Sequence, residues 1–339
     1  MTMLRVIDAG TVSARRSQGL WHGIASAMDD VAAPVLSVCR PAEHYVCLGY
    51  HRRLDEIDRE ACRREAIPIL RRQIGGGPVW IDTDQLFFQI TMPWRRAPVR
   101  VDDIYARLLG PAVQAFRGLG LDAGLRGLND IAVGDRKISG TGAGRIGEAV
   151  TVVGNLLFRF PHERMVSVLA LPARTRAECL RLMRRHVSSL EAEGIEAPSF
   201  EAVTRALVDA YARGLGLSPV ASELSAAEDT AVAAWDARVA DPRWVAGPTL
   251  PCPASSQVKI CADVFVLSAA AEGMSVEASI VDGRIDRVRV EGAEVNGAAA
   301  RIERAALGQA LAALPEALAA FGPHGARLLE LFRDVRRMA

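Results

Sequence analysis

Two adjacent arginines run into three consecutive glycines in Arg71-Arg72-Gln73-Ile74-Gly75-Gly76-Gly77, the first stretch of this 339-residue chain with evident chemistry. Glycine lacks a Cβ, so successive backbone N–H groups can turn inward and approach an anion closely. The guanidinium groups add fixed charge and paired donors suited to a nucleotide phosphate or an acyl-phosphate. A tight turn beside two solvated arginines is the competing reading. A second glycine-rich stretch, Ser139-Gly-Thr-Gly-Ala-Gly-Arg-Ile-Gly147, follows Lys137. Of 41 basic residues only Lys137 and Lys259 are lysines and the other 39 are arginines, so a lysine at the mouth of this loop stands out. Its compact ammonium carries three donors and can meet a carboxylate and a phosphate together, where a planar guanidinium suits one planar partner. An incidental surface lysine would leave the same trace. Asn129-Asp130 precede the lysine and Asp82 follows the triple glycine. A carboxylate in either place could share a magnesium ion with bound phosphates, or could simply cap its own turn.

Other candidates are weaker. His44, His51 and His162 have no partner nearby in sequence, and the six cysteines (39, 47, 62, 179, 252 and 261) form no CxxC pair. Cys179 lies in a helical pattern, where a buried thiol is expected, and Cys252 lies among prolines. Trp80 reads as core or as an apolar wall for an aliphatic substrate. Gly142-x-Gly144-x-x-Gly147 matches the dinucleotide fingerprint, but Glu148 to Asn155 is strand-like, and the fingerprint needs a helix N-terminus there. A Rossmann site is excluded, and the absence of GxxxxGK[ST] excludes a Walker P-loop; a flexible ligand-covering loop is the remaining expectation. The 41 basic and 40 acidic residues nearly cancel, which argues against a nucleic-acid partner. No apolar run reaches the 18 or so residues of a membrane span, and no signal-like N-terminus is present, so a reduced cytoplasm is the expected compartment.

The elements that must position these residues follow from periodicity. After a polar start, a helix is expected over 18–29, short strands over 35–39 and 45–48, a charged helix over 54–65, and strands over 67–70 and 86–92. Asp102 and Asp103 open a helix with Ile104, Leu108, Leu109, Val113 and Phe116 on its apolar face. A hairpin around Gly134-Asp135 carries Lys137, and a long strand runs over 149–160. Helices are expected over about 162–170, 174–190, 199–215 and 223–236. Four prolines in 240–256 mark a linker, dividing a first domain over 1–245 from a second over 256–339, with three strands (258–267, 274–281, 285–290) and two helices (300–314, 323–337).

These pieces, in this order, resemble the lipoate-protein ligase A family, related to biotin protein ligases and octanoyltransferases. The similarity spans about 20–190 and continues weakly beyond. It is carried by Val46-Cys-Leu-Gly-Tyr-His-Arg, by Ile67-Pro-Ile-Leu-Arg-Arg-Gln-Ile-Gly-Gly-Gly-Pro-Val-Trp-Ile-Asp (family RRxxGGGAVxHD), and by Asn129-Asp-Ile with Arg136-Lys-Ile-Ser-Gly-Thr (family ND[IL] and (R/K)K(I/V)(S/A)G(S/T)). The resemblance implies an α+β fold, with a mixed-sheet biotin/lipoate-ligase-like catalytic domain and a smaller α/β accessory domain. It implies an ATP- and magnesium-dependent ligase that turns lipoate or octanoate into an acyl-adenylate and passes the acyl group to a lysine of a lipoyl-type acceptor protein. By the match, Lys137 is catalytic. Arg71, Arg72, Gly75, Gly76, Gly77, Val79, Asn129, Asp130, Ser139, Gly140 and Thr141 would bind substrate or nucleotide, and Asp130 would hold the metal. The chain departs from the family at Pro78, at Ile81, and at Thr151-Val152-Val153-Gly154 in place of HHG. An ATP-independent, cysteine-dependent transferase of the same fold and a non-catalytic acyl or nucleotide sensor are the alternatives. Lys259 opens a strand of the second domain and has no mechanistic account.

Overall fold

The computed structural model describes residues 3–247, 255–271, 273–295 and 297–332. They group into two units, one of 3–170 with 187–247, the other of 171–186 with the described residues from 255 on. In chain order the first unit contains β1 (Met3–Val12), α1 (Ala14–Ala27), β2 (Val35–Pro41), β3 (Tyr45–Leu48), α2 (Arg59–Arg64), β4 (Ile69–Arg71), β5 (Val79–Ile81), β6 (Gln85–Pro93) and α3 (Val101–Gly118). It continues through β7 (Ala123–Arg126), β8 (Asp130–Val133), β9 (Arg136–Ser139), β10 (Thr141–Ile146), β11 (Ala149–Leu157) and α4 (His162–Ser167). After α5 (Ala173–His186), which groups with the second unit, come α6 (Phe200–Leu215), β12 (Ser218–Ala221), α7 (Ala226–Arg238) and α8 (Pro242–Ala246).

A six-stranded mixed sheet in the order β10-β11-β6-β2-β1-β12 carries the unit, flanked by three-stranded sheets β4-β3-β5 and β7-β8-β9. β6 is buried along its whole length because both faces are covered. Leu86, Phe88, Ile90 and Met92 pack with α3 and α6, while Phe87 turns toward α1, Tyr45 and Trp235 of α7. Burying a side chain such as Phe88 contributes about 1.5–3 kcal/mol. α1 begins at Ser13, whose hydroxyl accepts the Arg16 N–H, and α7 lies against it with Arg16 and Asp236 paired at 2.7 Å.

Several sequence expectations change here. The polar start is β1, paired in parallel with β2, with one half-exposed face that hides its period. The helix expected over 54–65 is a single turn followed by α2, because the Asp58 side chain caps a new start by accepting the Ala61 N–H. The glycine-rich stretch after Lys137 is an edge strand, β10, paired with β11 from Thr141↔Gly154 to Ile146↔Ala149. The first part of the expected linker is helical, since Asp241 accepts the Arg243 and Trp244 N–H groups and Pro242 suits the first turn of α8. The rest of that linker, 248–254, with Cys252, lies outside the described residues.

In the second unit, β13 (Ser255–Cys261), β14 (Val264–Ala271), β15 (Met274–Val281) and β16 (Arg284–Glu291) form an antiparallel sheet in that order. Asp282-Gly283 makes the expected turn, with both residues at positive φ. Helices α9 (Ala299–Ala306), α10 (Leu314–Leu318) and α11 (Gly322–Leu331) share a core with Leu267, Val276, Ile280 and Val290. Residues 333–337 of the expected last helix are outside the description. The boundary drawn near 245 put α5 in the first domain, but α5 packs on β13 and β14. Its buried side chains Thr175, Cys179, Leu182, Met183 and His186 recur at helical spacing. That spacing states that a face is buried without naming the sheet that buries it. Arg181 joins Glu178 at 2.5 Å and Asp286 of β16, and Glu178 reaches Arg287 at 3.3 Å.

Candidate active site

The triple-glycine loop is held at its start by backbone bonds whose partners can all be named. Arg71 N–H donates to the Val239 carbonyl at 3.0 Å, Arg72 N–H to Leu48 at 3.0 Å, and Gln73 N–H to His22 Nε2 at 2.9 Å. The Ile74 carbonyl accepts the Tyr50 N–H at 2.9 Å. Gly75, Gly76 and Gly77 are then exposed.

The two arginines are spent on carbonyls. Arg71 is 1% exposed, and its guanidinium donates to Gly49 (2.8 Å), Tyr50 (3.0 Å), Arg52 (2.7 Å) and Val245 (2.8 and 3.1 Å), with Ala246 at 3.4 Å. It caps the carbonyl end of α8 and closes the turn after β3. Burial lowers its pKa from the ordinary arginine value. Arg72 donates to Cys47 (3.0 Å), Gly75 (2.8 and 3.2 Å) and Gly77 (2.9 Å), wrapping the loop it precedes. Arg71, expected to bind substrate, spends its guanidinium on these carbonyls. Arg72 shapes the glycine backbone from inside instead of reaching outward. Gly76, at φ +98°, would set a Cβ 2.7 Å from Arg72 Nη2, so neither its conformation nor its space admits a side chain.

His22 is the loop's hidden support. Nε2 accepts from Gln73, so Nδ1–H donates to the Gln18 carbonyl at 2.6 Å, and the ring stacks on Trp235 with centroids 4.5 Å apart. Burial, with the nearby Arg72 and Arg238 charges, pushes its pKa from 6.5 down to about 3. The unfolded state therefore takes up the proton first. Stability from the neutral ring is complete above about pH 6.5 and drains as pH falls toward 3, at about 1.4 kcal/mol per pH unit. Chemical denaturation at pH 7 and pH 5 is expected to show this loss, and His22→Gln, neutral throughout, is expected to flatten it; an unchanged slope in that variant would remove His22 as its source.

Lys137 sits on β9, beside Asp130 at the start of β8. Nζ lies 2.7 Å from Asp130 Oδ1, with the lysine side chain 21% and the aspartate side chain 1% exposed. Asp130 thus fixes the ammonium. Asp130, the residue expected to hold the metal, has its Oδ1 against the Lys137 ammonium. Among the described residues no group of three or more His, Cys, Asp or Glu could hold a metal ion. Asn129 Nδ2 donates to the Thr141 carbonyl at 2.9 Å and the Thr141 hydroxyl donates to the Asn129 carbonyl, so this pair closes the β8–β10 corner. Ser139 is fully buried beside it. Gly140 borders the ammonium: a Cβ there would lie 3.8 Å from Lys137 Nζ.

Two connections run from the lysine corner to residues that flank the glycine loop. Gly140 N–H donates to Asn155 Oδ1 (2.7 Å), Asn155 Nδ2 to Gln85 Oε1 (2.8 Å), and Gln85 Nε2 to the Trp80 carbonyl (3.1 Å) and Asp82 (3.3 Å). Trp80 Nε1–H closes this chain on Asp82 at 2.8 Å, and burial pushes the Asp82 carboxyl pKa up. Asp82 is a structural lock. Ile74, meanwhile, seats on β10, where a Cβ at Gly142 or Gly144 would come within 2.9 or 2.5 Å of its side chain. The dinucleotide-like glycines thus make room for Ile74. Val79 on β5 is half-buried beside the loop, Ile81 is core, Val152 joins the α3 side and Val153 the glycine-loop side. Sequence reasoning missed His22, Gln85 and Asn155. His22 and Asn155 each stand inside an apolar run and Gln85 opens one, and a polar residue buried there must find a partner.

A sequence model of the lipoyl protein ligase A/B catalytic domain matches residues 24–212. Lipoate-protein ligase 1 of Staphylococcus aureus is 27% identical over 144 residues, 41% of this chain and 42% of that one, so the chain matches less than half of this relative's length. The fold is similar to that of a bipartite lipoate protein ligase of Thermoplasma acidophilum, solved in a study with its E2 lipoyl domain (TM-score 0.65, 21% identity, 74% of this chain and 97% of that one). It is similar too to a lipoate-protein ligase A bound with ATP (TM-score 0.62, 20% identity, 72% and 99%). With more than half of its residues matched and the biotin/lipoate-ligase fold around Lys137, the chain belongs to the lipoyl protein ligase A/B catalytic domain family.

Proposed function

We propose that this protein is an ATP-dependent lipoate-protein ligase. It activates lipoate or octanoate as the acyl-adenylate and transfers the acyl group to a lysine of a lipoyl-type acceptor protein. The observation that carries this reading is the Lys137 ammonium, anchored at 2.7 Å by a buried carboxylate and bordered by Gly140, whose bonded network runs through Asn155 and Gln85 to Trp80 and Asp82, just beyond the glycine loop. The ATP-bound and lipoyl-domain-associated relatives add support. In the first step a carboxylate oxygen attacks the α-phosphorus and the bond to pyrophosphate breaks. In the second, the acceptor amine attacks the acyl carbon, loses a proton, and AMP leaves with the former carboxylate oxygen. Lys137 meets the acyl oxygen and the α-phosphate, where charge develops in both steps, and no protein nucleophile is required. Gly75–Gly77, with Val79, lie over the acyl chain and the adenylate phosphate, the Gly75 and Gly77 carbonyls drawn in by Arg72. Asn129, Ser139 and Thr141 hold the corner from which Lys137 projects. Magnesium would accompany ATP through the phosphates, and no step is assigned to it on Asp130.

A cysteine-dependent transferase is disfavoured among the described residues. Cys39, Cys47, Cys62, Cys179 and Cys261 are all buried, and burial raises the thiol pKa to about 12 for Cys39 and about 11 for Cys62. A thiolate nucleophile needs the opposite shift. Pyrophosphate exchange into ATP that depends on lipoate or octanoate is the expected result. Its absence, with acyl transfer from an acyl-carrier thioester instead, would overturn the ligase reading, and no acceptor mass gain in either assay would favour a sensor.

A further inference from the structure

Asp130 holds the head of Lys137 at 2.7 Å, while the lysine's backbone is held from a stretch 50 residues further along the same unit. Val187 bridges Lys137 in parallel, and the Ser188 N–H donates to the Lys137 carbonyl at 2.8 Å. Lys137 is therefore flanked by Ala132 of β8 on one side and by residues 187–188 on the other. The chain then turns at once into a tight loop fixed on the end of β11. There the Leu190 N–H donates to the Leu157 carbonyl at 2.9 Å and the Glu191 N–H to the Phe158 carbonyl at 3.1 Å, and the Leu190 side chain is wholly buried.

Glu193 stands on that loop and grips the lysine's attachment from two directions. Its Oε1 accepts Arg136 Nε at 2.8 Å and the Ser188 hydroxyl at 2.5 Å, and its Oε2 accepts Arg136 Nη2 at 2.7 Å. The glutamate side chain is 10% exposed, and its pKa lies below the ordinary carboxyl value because Arg136, and after it Ser188, bonds the ionised form. Arg136 precedes Lys137 on β9, and successive side chains of a strand leave on opposite faces. A two-point grip on the guanidinium therefore sets the roll of the strand, and with it the direction in which Lys137 leaves the backbone.

We propose that Glu193 is a positioning residue for Lys137: one carboxylate ties the residue before the lysine to the residue whose amide holds the lysine's carbonyl. The catalytic consequence rests on the ligase reading, whereas the backbone consequence does not. A misplacement of about 1 Å at a reacting group can cost on the order of a hundredfold in rate.

The test uses the full chain. E193Q keeps an acceptor for the Ser188 hydroxyl but turns an amide N–H toward Arg136, and it is expected to speed amide exchange at Ser188 by about tenfold. Adenylate formation is expected to lose about tenfold or more in kcat with KM for ATP within about twofold. R136Q breaks the same grip from the other side, so combining it with E193Q is expected to cost no more than either alone. E191Q, on the same loop but paired only with exposed Arg159, is expected to match wild type in both measurements. Unchanged exchange at Ser188, additive losses in the double variant, or an equal loss in E191Q overturns the proposal. Should E193Q strip protection from Gln85–Pro93, signalling an unfolded first unit, R136Q is read against E191Q by the same criteria. A wild-type chain without pyrophosphate exchange sinks the ligase reading alone, because Ser188 protection still decides the positioning role.

Discussion

Lys137→Arg is expected to reduce acyl-adenylate formation by about a hundredfold to a thousandfold, comparable to removing a donor from a preorganised oxyanion site. Charge and the Asp130 pairing survive this substitution, so the fold should too. A guanidinium carries its charge over a wide planar fork and cannot set one compact ammonium between an acyl oxygen and a phosphate. Lys137→Ala is less informative, because it strands a carboxylate only 1% exposed, and breaking such a buried pair costs about 3–5 kcal/mol on its own. The check is single-turnover adenylate formation at saturating ATP, alongside thermal denaturation. Near-normal turnover in Lys137→Arg would leave the lysine without a chemical role.

Arg71→Lys carries the second large effect, and it falls on stability before chemistry. The guanidinium serves the carbonyls of Gly49, Tyr50, Arg52 and Val245 at 3.1 Å or less, and a lysine's three donors cannot replace that fan. Four carbonyls against three donors leave at least one without its partner, a loss of about 1–3 kcal/mol. For a unit of this size that is roughly 2–12 °C in Tm. A residue that met the nucleotide directly would behave in the opposite way, keeping its Tm and losing ATP affinity. Thermal denaturation with and without ATP separates the two.

Much of the site was legible because its chemistry needs unusual residues in order. Lys137 was marked by the scarcity of lysine and by its motif, and the structure places it against Asp130, which the same motif had singled out. Elements with a clear period, such as α3 and the apolar core of β6, were legible for the same physical reason: one buried face repeats. What escaped had no such display. β10 is rich in glycine, so it shows no alternation of side chains, and its strand character comes from pairing with β11. The charges of Arg71 and Arg72 are legible in sequence, whereas the carbonyls their guanidinium groups serve are not. His22 and Asn155 are single polar residues whose meaning depends on partners 51 and 70 positions away.

The carbonyl that completes the Arg71 anchor lies 174 residues further along the chain. At a synthesis rate of about 5–20 residues per second, roughly 10–35 s separate the emergence of the arginine from that of Val245. During that interval the guanidinium and the glycine segment behind it have no finished seat, so a nascent chain lacking α8 exposes an unsatisfied cation beside apolar strands. The order of translation thereby makes the glycine loop one of the last parts of this unit to acquire its final shape.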